Sequence, residues 1–174
     1  MVFMQIRAPV LFALALLGAM PIGPATAQTA KPIIKSMEPV KMTKDEADIR
    51  GTLAAYNAAL NGGETSAVLP LYDQDGICMA PFGPSSIGQA ALEATYDGFF
   101  REMKFDVHFD IAEVVVTAPD WAFVRTNSAG TTLHHSTGKT VSEANQELFV
   151  MHKGSDGHWR IARYSFSPSN PPAR

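Results

Sequence analysis

Hydrophobic positions follow helical spacing in the first part of the chain and alternate with polar positions after residue 104. Residues three or four apart form the first apolar stripe: Ile49, Leu53, Tyr56 and Leu60. Such spacing predicts an amphipathic helix. Thr43 and Glu46 match the capping box that begins a helix, and the sequence Asn-Gly-Gly at 61–63 supplies a left-handed cap that ends it.

Two further helices and one short strand are expected before the alternation begins. Pro70 makes the second helix, from about Ser66 to Tyr72, irregular. The Asp-Gly pair at 75–76 predicts a turn into a strand over 77–80, followed by a loop that contains Pro-Phe-Gly at 81–83. A third helix, from about Gly88 to Met103, carries its own apolar stripe of Leu92, Tyr96, Phe99, Phe100 and Met103.

Four long strands follow, and the first of them alternates strictly between apolar and polar residues from Phe105 to Ile111. This period of two predicts a half-buried strand, and Glu113 interrupts it as a β-bulge does. Further strands are expected over 121–132, 140–153 and 158–166. The predicted fold class is therefore α+β: a cone-shaped, curved antiparallel sheet packed against three N-terminal helices.

The N-terminus has the pattern of a secretory signal peptide over residues 1–27. Arg7 precedes an apolar run from Ala8 to Met20, and Ala-Thr-Ala at 25–27 provides a cleavage site. The apolar run is shorter than the ~20 residues that span a bilayer, which disfavours an uncleaved anchor. We expect a flexible leader at 28–42, one domain at 43–170, a tail at 171–174, and a secreted or periplasmic protein.

Charge and composition exclude several classes of function. The net charge is −3, and it becomes −4 without residues 1–27, because they hold one Arg and no Asp or Glu. A mildly acidic chain without a Lys/Arg cluster disfavours nucleic-acid and membrane binding. Cys78 is the one cysteine and lies in an apolar run, as a buried thiol does. The five histidines lack the spacing of a ligand pair, so we expect no metal. The sequence has no Gly-rich nucleotide loop after a strand and no Cys pair, so we expect no cofactor.

Several short motifs resemble a known family. They are Asn-Gly-Gly-Glu-Thr at 61–65, Leu-Tyr-Asp-Gln-Asp-Gly at 71–76, Gln-Glu-Leu-Phe-Val at 146–150 and Trp-Arg-Ile-Ala-Arg-Tyr at 159–164. Together with the element order, they are similar to SnoaL-like proteins, especially the SgcJ/EcaC group, of the nuclear transport factor 2-like superfamily. The resemblance covers nearly all of residues 43–170 and implies a cystatin-like roll. Members include isomerases, cyclases, dehydratases, hydrolases and proteins that only bind or assemble.

The ketosteroid isomerase type of this fold combines a helix tyrosine, a neutral acid on a strand and a proton-moving Asp beside the Pro-Phe-Gly turn. By resemblance, Tyr56 corresponds to the helix tyrosine. Ala80 occupies the position of the base, and Phe149 that of the second acid. The chain therefore departs from that catalyst at both carboxyl positions, and steroid-isomerase chemistry with that arrangement is not expected.

Glu147 is the candidate that remains for acid–base chemistry. Alternation places it on one face of its strand with Asn145 and Phe149, and the resemblance implies that this face is the cup side, where loss of solvent raises a carboxyl pKa. The alternative is an ion pair with Arg163 or Arg125 on an exposed face. Asn145 either orients a ligand or completes sheet hydrogen bonds. Tyr56 and Tyr164 either donate to a ligand oxygen or are core aromatics.

We thus expect an exported protein whose pocket binds a small, apolar, oxygen-bearing molecule. Binding without turnover is favoured slightly over isomerase, dehydratase or cyclase chemistry. Catalytic candidates are Glu147 and Tyr56, and ligand-binding candidates are Phe82, Phe99, Asn145, Phe149, Tyr164 and Phe166. Trp121 and Phe123 alternate with Ala122 and Val124, so their strand is apolar on both faces. A homodimer through the outer sheet face is therefore expected, unless a terminal segment covers it. The alternative function is a non-catalytic dimeric assembly domain.

Overall fold

Three helices, a short 3₁₀ turn and six strands are formed by residues 42–169, the part of the chain that the computed structural model describes. The predicted signal peptide, nearly all of the leader and the C-terminal tail lie outside the described residues. In chain order the elements are α1 (Lys44–Gly62), α2 (Thr65–Val68), the 3₁₀ turn (Leu69–Leu71), β1 (Tyr72–Met79), β2 (Ser86–Ile87), α3 (Gln89–Glu102), β3 (Met103–Ala118), β4 (Trp121–His134), β5 (Lys139–Lys153) and β6 (Trp159–Pro168).

Helix α1 begins and ends where its sequence predicts. The Thr43 side chain accepts a hydrogen bond from the Glu46 backbone N–H at 3.1 Å. At the other end Gly63 adopts φ 70°, and its N–H bonds back to Ala59 and Leu60 carbonyls. None of the helices in the described part is long and apolar enough to cross a membrane.

The sheet has the strand order β2-β1-β6-β5-β4-β3 and is curved and unclosed. Strands β3 to β6 form the expected antiparallel meander, but β1 pairs with β6 in parallel. The prediction of a wholly antiparallel sheet is therefore wrong at this pair. The last strand of the meander returns beside the first strand of the chain, and this long-range pairing leaves no local signal in the sequence.

Strand β1 begins earlier than expected and contains the Asp-Gly pair that was predicted to be a turn. A shift in the pairing with β6 lies between Tyr72 and Ile77. A Cβ on Gly76 would lie 2.9 Å from Cδ1 of Tyr72, so this glycine is required by a close approach of the Tyr72 ring rather than by a turn. The bulge predicted at Glu113 is confirmed, because the β3–β4 register shifts between Ile111 and Glu113.

Helices α1 and α3 cover the inner face of the sheet. Strand β5 turns Glu147, Phe149 and Met151 inward, whereas Gln146 and Leu148 are exposed on the outer face. Paired residues on neighbouring strands share a face, so Ser128 and Tyr164 also point inward. The core consists of this inner face and the buried stripes of the two helices.

Candidate functional site

A cavity of about 50 Å³ lies between α1, α3 and the inner face of β3 to β6. One water needs roughly 10–15 Å³ of such space, so the cavity has room for a few waters or one end of a small molecule. Aromatic rings form most of its wall, and two aliphatic side chains together with Asn, Ser and Glu side chains form the rest. The lining residues are Tyr56, Leu60, Tyr96, Phe99, Phe105, Val107, Phe109, Ser128, Glu143, Asn145, Glu147, Tyr164 and Phe166.

Glu147 is buried in the wall of this cavity, with 5 % of its surface exposed. Oε1 accepts a hydrogen bond from the Ser128 hydroxyl at 2.8 Å and a longer one from the Tyr164 hydroxyl at 3.4 Å. Oε2 accepts a short hydrogen bond from Thr126, which is paired directly opposite Glu147 on β4. The carboxyl group therefore has three neutral donors and no cationic partner among the described residues.

Burial raises the pKa of Glu147 above 4.5, and the hydrogen bonds from Thr126, Ser128 and Tyr164 oppose this effect without cancelling it. The alternative of an ion pair on an exposed face is wrong. Arg125 bonds to Glu113 at 2.8 Å on the outer face, and Arg163 lies 3.6 Å from Asp75.

Three buried tyrosine hydroxyls form a hydrogen-bonded chain beside the cavity. The Tyr96 hydroxyl lies 2.7 Å from that of Tyr56 and 2.8 Å from that of Tyr72. Burial raises the pKa of all three phenols, so they remain neutral donors and acceptors at physiological pH. Tyr56 is thus a core aromatic with a hydrogen-bonded hydroxyl, and it also lines the cavity. The two alternatives drawn from the sequence, a core aromatic and a ligand contact, are therefore compatible.

The structure brings four of the six predicted ligand-binding residues to the cavity wall, namely Phe99, Asn145, Tyr164 and Phe166. Phe82 is a correction: it adopts φ 66° in the loop after β1, and its ring is fully exposed to solvent. Phe149 is a second correction. It is completely buried behind the wall, where its ring stacks on Tyr164 at a centroid distance of 4.2 Å, so it supports the site without lining it.

Sequence reasoning missed most of the polar surroundings of Glu147. Thr126 and Ser128 lie at alternate positions of β4, facing β5, and the strand pairing alone brings them to the carboxyl group. Glu143 lies four residues before Glu147 on the same face of β5, and this spacing was a usable signal. Ala80, at the position of the family's catalytic base, is not among the residues that line the cavity.

Metal binding has no ready site in the described part of the chain. Within residues 42–169, no three His, Cys, Asp or Glu side chains are grouped so that they could hold a metal ion. Cys78 is 1 % exposed, and burial raises the pKa of its thiol to about 11, so it is an inert core residue rather than a nucleophile.

Comparison with known proteins identifies the family. The family model for the SnoaL-like domain matches residues 53–164. A ketosteroid isomerase-like protein from Erwinia carotovora atroseptica is 37 % identical in sequence, with a TM-score of 0.72, over 74 % of this chain and 99 % of that protein. No curated protein matches the sequence.

Two more distant structures share the fold alone. A nuclear transport factor 2-like superfamily protein from Salmonella enterica has 14 % identity and a TM-score of 0.64, over 73 % of this chain and 92 % of that one. A putative calcium/calmodulin-dependent protein kinase II association domain from Xanthomonas campestris has 20 % identity and a TM-score of 0.62, over 78 % and 95 %. The chain belongs to the SnoaL-like domain family, and its fold is that of nuclear transport factor 2-like proteins.

Proposed function

We propose that the protein binds a small, largely apolar, oxygen-bearing molecule in the cavity and that Glu147 moves a proton on it, without a cofactor. One observation carries this proposal: a carboxyl group is buried in the wall of an aromatic cavity with no cation beside it. A buried carboxyl whose pKa is raised above its usual value can act as a general acid or a general base. Such a group suits an isomerase, dehydratase or cyclase type of step.

The hydrogen bonds around Glu147 give the proton transfer a defined geometry. Ser128 and Thr126 each donate a hydrogen bond to one of the two carboxyl oxygens. These bonds restrict rotation of the carboxyl group. Three hydroxyls share two hydrogen bonds in the tyrosine chain, which leaves one hydroxyl proton unused. When Tyr72 donates to Tyr96 and Tyr96 donates to Tyr56, the Tyr56 proton is available to a ligand oxygen.

This arrangement differs from the ketosteroid isomerase type that the Erwinia relative's description names. Ala80 has no ionisable group, so the loop after β1 supplies no base. Glu147 would reach the ligand from the floor of the sheet, two positions along β5 from Phe149. The similarity to that relative supports isomerase-type chemistry, and the position of the carboxyl group points to a different reacting atom on the substrate.

Deuterium exchange tests the proton-transfer role without knowledge of the substrate. Small cyclic and aromatic ketones are incubated with the protein in D₂O, and mass spectrometry measures deuterium on the carbon beside the carbonyl. We expect exchange by the wild-type protein and a loss of about 10²- to 10⁴-fold in Glu147→Gln. Glu93→Gln, on the exposed face of α3, is the matched control and should match wild type.

Two outcomes contradict parts of this proposal. Equal exchange by wild type and Glu147→Gln would remove the proton-transfer role. Native mass spectrometry of the exported protein at low and high activation energy tests the binding itself. A small-molecule adduct that leaves on activation supports the cavity as a binding site, and exchange-inactive protein with such an adduct would indicate binding without turnover.

We propose that the protein forms a homodimer through the outer face of the sheet. Val115, Phe123 and Val150 are paired in one row across β3, β4 and β5 on that face and are only half-buried. Trp121 is 40 % exposed, and its ring lies 4.6 Å from that of His152, its partner in the neighbouring pair of β4 and β5 on the same face. Covering such a continuous apolar row in a second copy removes it from water. The likeness to an association domain favours assembly as a second function of the same face.

Light scattering after size exclusion tests the dimer. The wild-type protein should have twice the monomer mass, and Phe123→Glu should be monomeric with an unchanged circular dichroism spectrum. Thr131→Glu, on the same face of β4 but outside the apolar row, is the control and should remain dimeric. A monomeric wild-type protein at high concentration would refute the interface.

We also propose export with removal of residues 1–27, on the sequence pattern described above. The mature protein recovered from the periplasm or the medium should begin at Gln28, as measured by intact mass and N-terminal sequencing. Recovery of an uncleaved chain in the membrane fraction would contradict this.

A further inference from the structure

The cavity wall contains hydrogen-bond acceptors and carboxyl groups, but it contains no positively charged side chain. Of the thirteen residues that line it, seven are aromatic and two are glutamates, and none is Lys, Arg or His. Asn145 is 9 % exposed, lines the cavity, and its Oδ1 accepts no hydrogen bond from any residue between 42 and 169. Among the described residues the Thr132 hydroxyl oxygen alone is fully buried without a partner, so the Asn145 Oδ1 is accessible and can accept a hydrogen bond from a ligand or water.

Glu143 lies at the rim of this cavity. Strand β6 ends its pairing with β5 at Asn145–Pro168, and Glu143 extends beyond that point, where it is half-buried. The Asn145 amide donates to the Glu143 carboxylate at 3.3 Å, and no Lys, Arg or His in the described part of the chain forms an ion pair with it. The carboxylate and the amide oxygen therefore face the same opening without a cation.

We propose that the natural ligand carries a protonated primary or secondary amine, which Glu143 and the Asn145 Oδ1 bind at the rim while aromatic rings enclose its apolar part. An ammonium group supplies the N–H donors and the positive charge that these groups lack. Aromatic faces attract cations as well, so rings such as Phe99 and Phe166 at the half-buried end of the cavity favour the same charge. An anionic ligand would meet two carboxyl groups and no compensating charge.

This inference rests on the proposed function and names the ligand class for the same cavity. The oxygen-bearing part of the ligand would enter towards Glu147 and Tyr56, and the amine would remain at the rim. Glu143 is thus a specificity-determining residue, separate from the proton-transfer group.

Three probes of nearly equal size test the charge: benzylammonium, benzyl alcohol and benzoate. Each is titrated into the ¹⁵N-labelled mature protein, and NMR follows the side-chain amide signals of Asn145. Benzylammonium should bind about tenfold or more tightly than benzyl alcohol, and benzoate should bind least. In Glu143→Gln the affinity for benzylammonium should fall to that for benzyl alcohol, which itself should not change.

Glu93→Gln is the matched control for loss of one negative charge and should leave all three affinities unchanged. The inference is overturned if benzyl alcohol or benzoate binds as tightly as benzylammonium, or if Glu143→Gln leaves the benzylammonium affinity intact. Binding of benzyl alcohol without a preference for the amine removes the inference and keeps the proposed small-molecule cavity. If none of the probes shifts the Asn145 signals, both fail.

Discussion

The central hydroxyl of the tyrosine chain should matter more for stability than the hydroxyl at its end. Tyr96→Phe removes the group to which both Tyr56 and Tyr72 are bonded, at 2.7 Å and 2.8 Å. Tyr56→Phe removes one end of the chain and leaves the bond between Tyr96 and Tyr72 in place. The two substitutions delete the same atom type from equally buried rings, so their difference isolates the hydrogen-bond network.

The magnitudes follow from the number of bonds and of orphaned groups. A hydrogen bond contributes about 0.5–1.5 kcal/mol net, and a buried polar group without a partner costs about 1–3 kcal/mol. Tyr56→Phe should therefore destabilise the fold by about 1 kcal/mol. Tyr96→Phe breaks two bonds and leaves the Tyr56 and Tyr72 hydroxyls without the partner they share, so we expect a loss of about 2–4 kcal/mol.

Urea unfolding at neutral pH measures the free energy of unfolding of both variants and of the triple variant Tyr56→Phe, Tyr72→Phe, Tyr96→Phe. Removing all three hydroxyls leaves no orphan among them, so the triple variant should be no less stable than Tyr96→Phe alone. Equal losses for Tyr96→Phe and Tyr56→Phe would refute the reasoning and indicate that cavity water replaces the missing hydroxyl. Unequal denaturant slopes would show that a variant alters the compactness of a state, and those values would be excluded.

Three further predictions concern other parts of the fold. Burial raises the pKa of Glu147 above 4.5, so the native state keeps this proton to a higher pH than the unfolded state does. The free energy of unfolding should therefore fall as pH rises from 4.5 through the native pKa. Urea unfolding at a series of pH values measures this slope, which Glu147→Gln should flatten. Gly130→Ala would place a Cβ 2.1 Å from the Asp106 carbonyl oxygen, so it should lower the free energy of unfolding by about 3 kcal/mol or more. Gly98→Ala has open space around the new Cβ and should raise the free energy of unfolding by up to about 1 kcal/mol in the same assay. Cys78 should resist a thiol reagent in the native protein and react fully in urea, and rapid native labelling followed by mass spectrometry would contradict its burial.

Local signals in the sequence were enough for the helices and the meander. The cap at Thr43, the left-handed glycine at 63 and the alternation in β3 each rest on contacts between residues close in the chain. The parallel pairing of β1 with β6 rests on residues almost ninety positions apart, such as Cys78 with Tyr164. Interactions of this kind depend on the whole fold, which is why the direction of one strand pair was missed.

The candidate site divides in the same way. Alternation along β5 was sufficient to place Glu147 and Asn145 on one face, because side-chain direction follows from strand position, and the family resemblance indicated that this face is the inner one. Phe82 was expected to line the pocket, but it adopts a positive φ and its ring is exposed to solvent. The hydroxyls of Thr126 and Ser128 reach the carboxyl group through the register of β4 against β5, which periodicity does not determine.

The polar groups of the cavity come from both the sheet and a helix, and this limits how a ligand can be bound. Glu147 belongs to the sheet, whereas Tyr56 belongs to α1 and reaches the cavity from the opposite side. Under the proposed function, a substrate oxygen bonded to Tyr56 would lie across the cavity from Glu147, with aromatic rings around the atoms between them. Ala80 supplies no base from the loop, but under the proposed function the buried carboxyl group of Glu147 on the sheet would take that role. The proton would then be moved from a different direction, and substrates that place their acidic carbon towards β5 should be preferred.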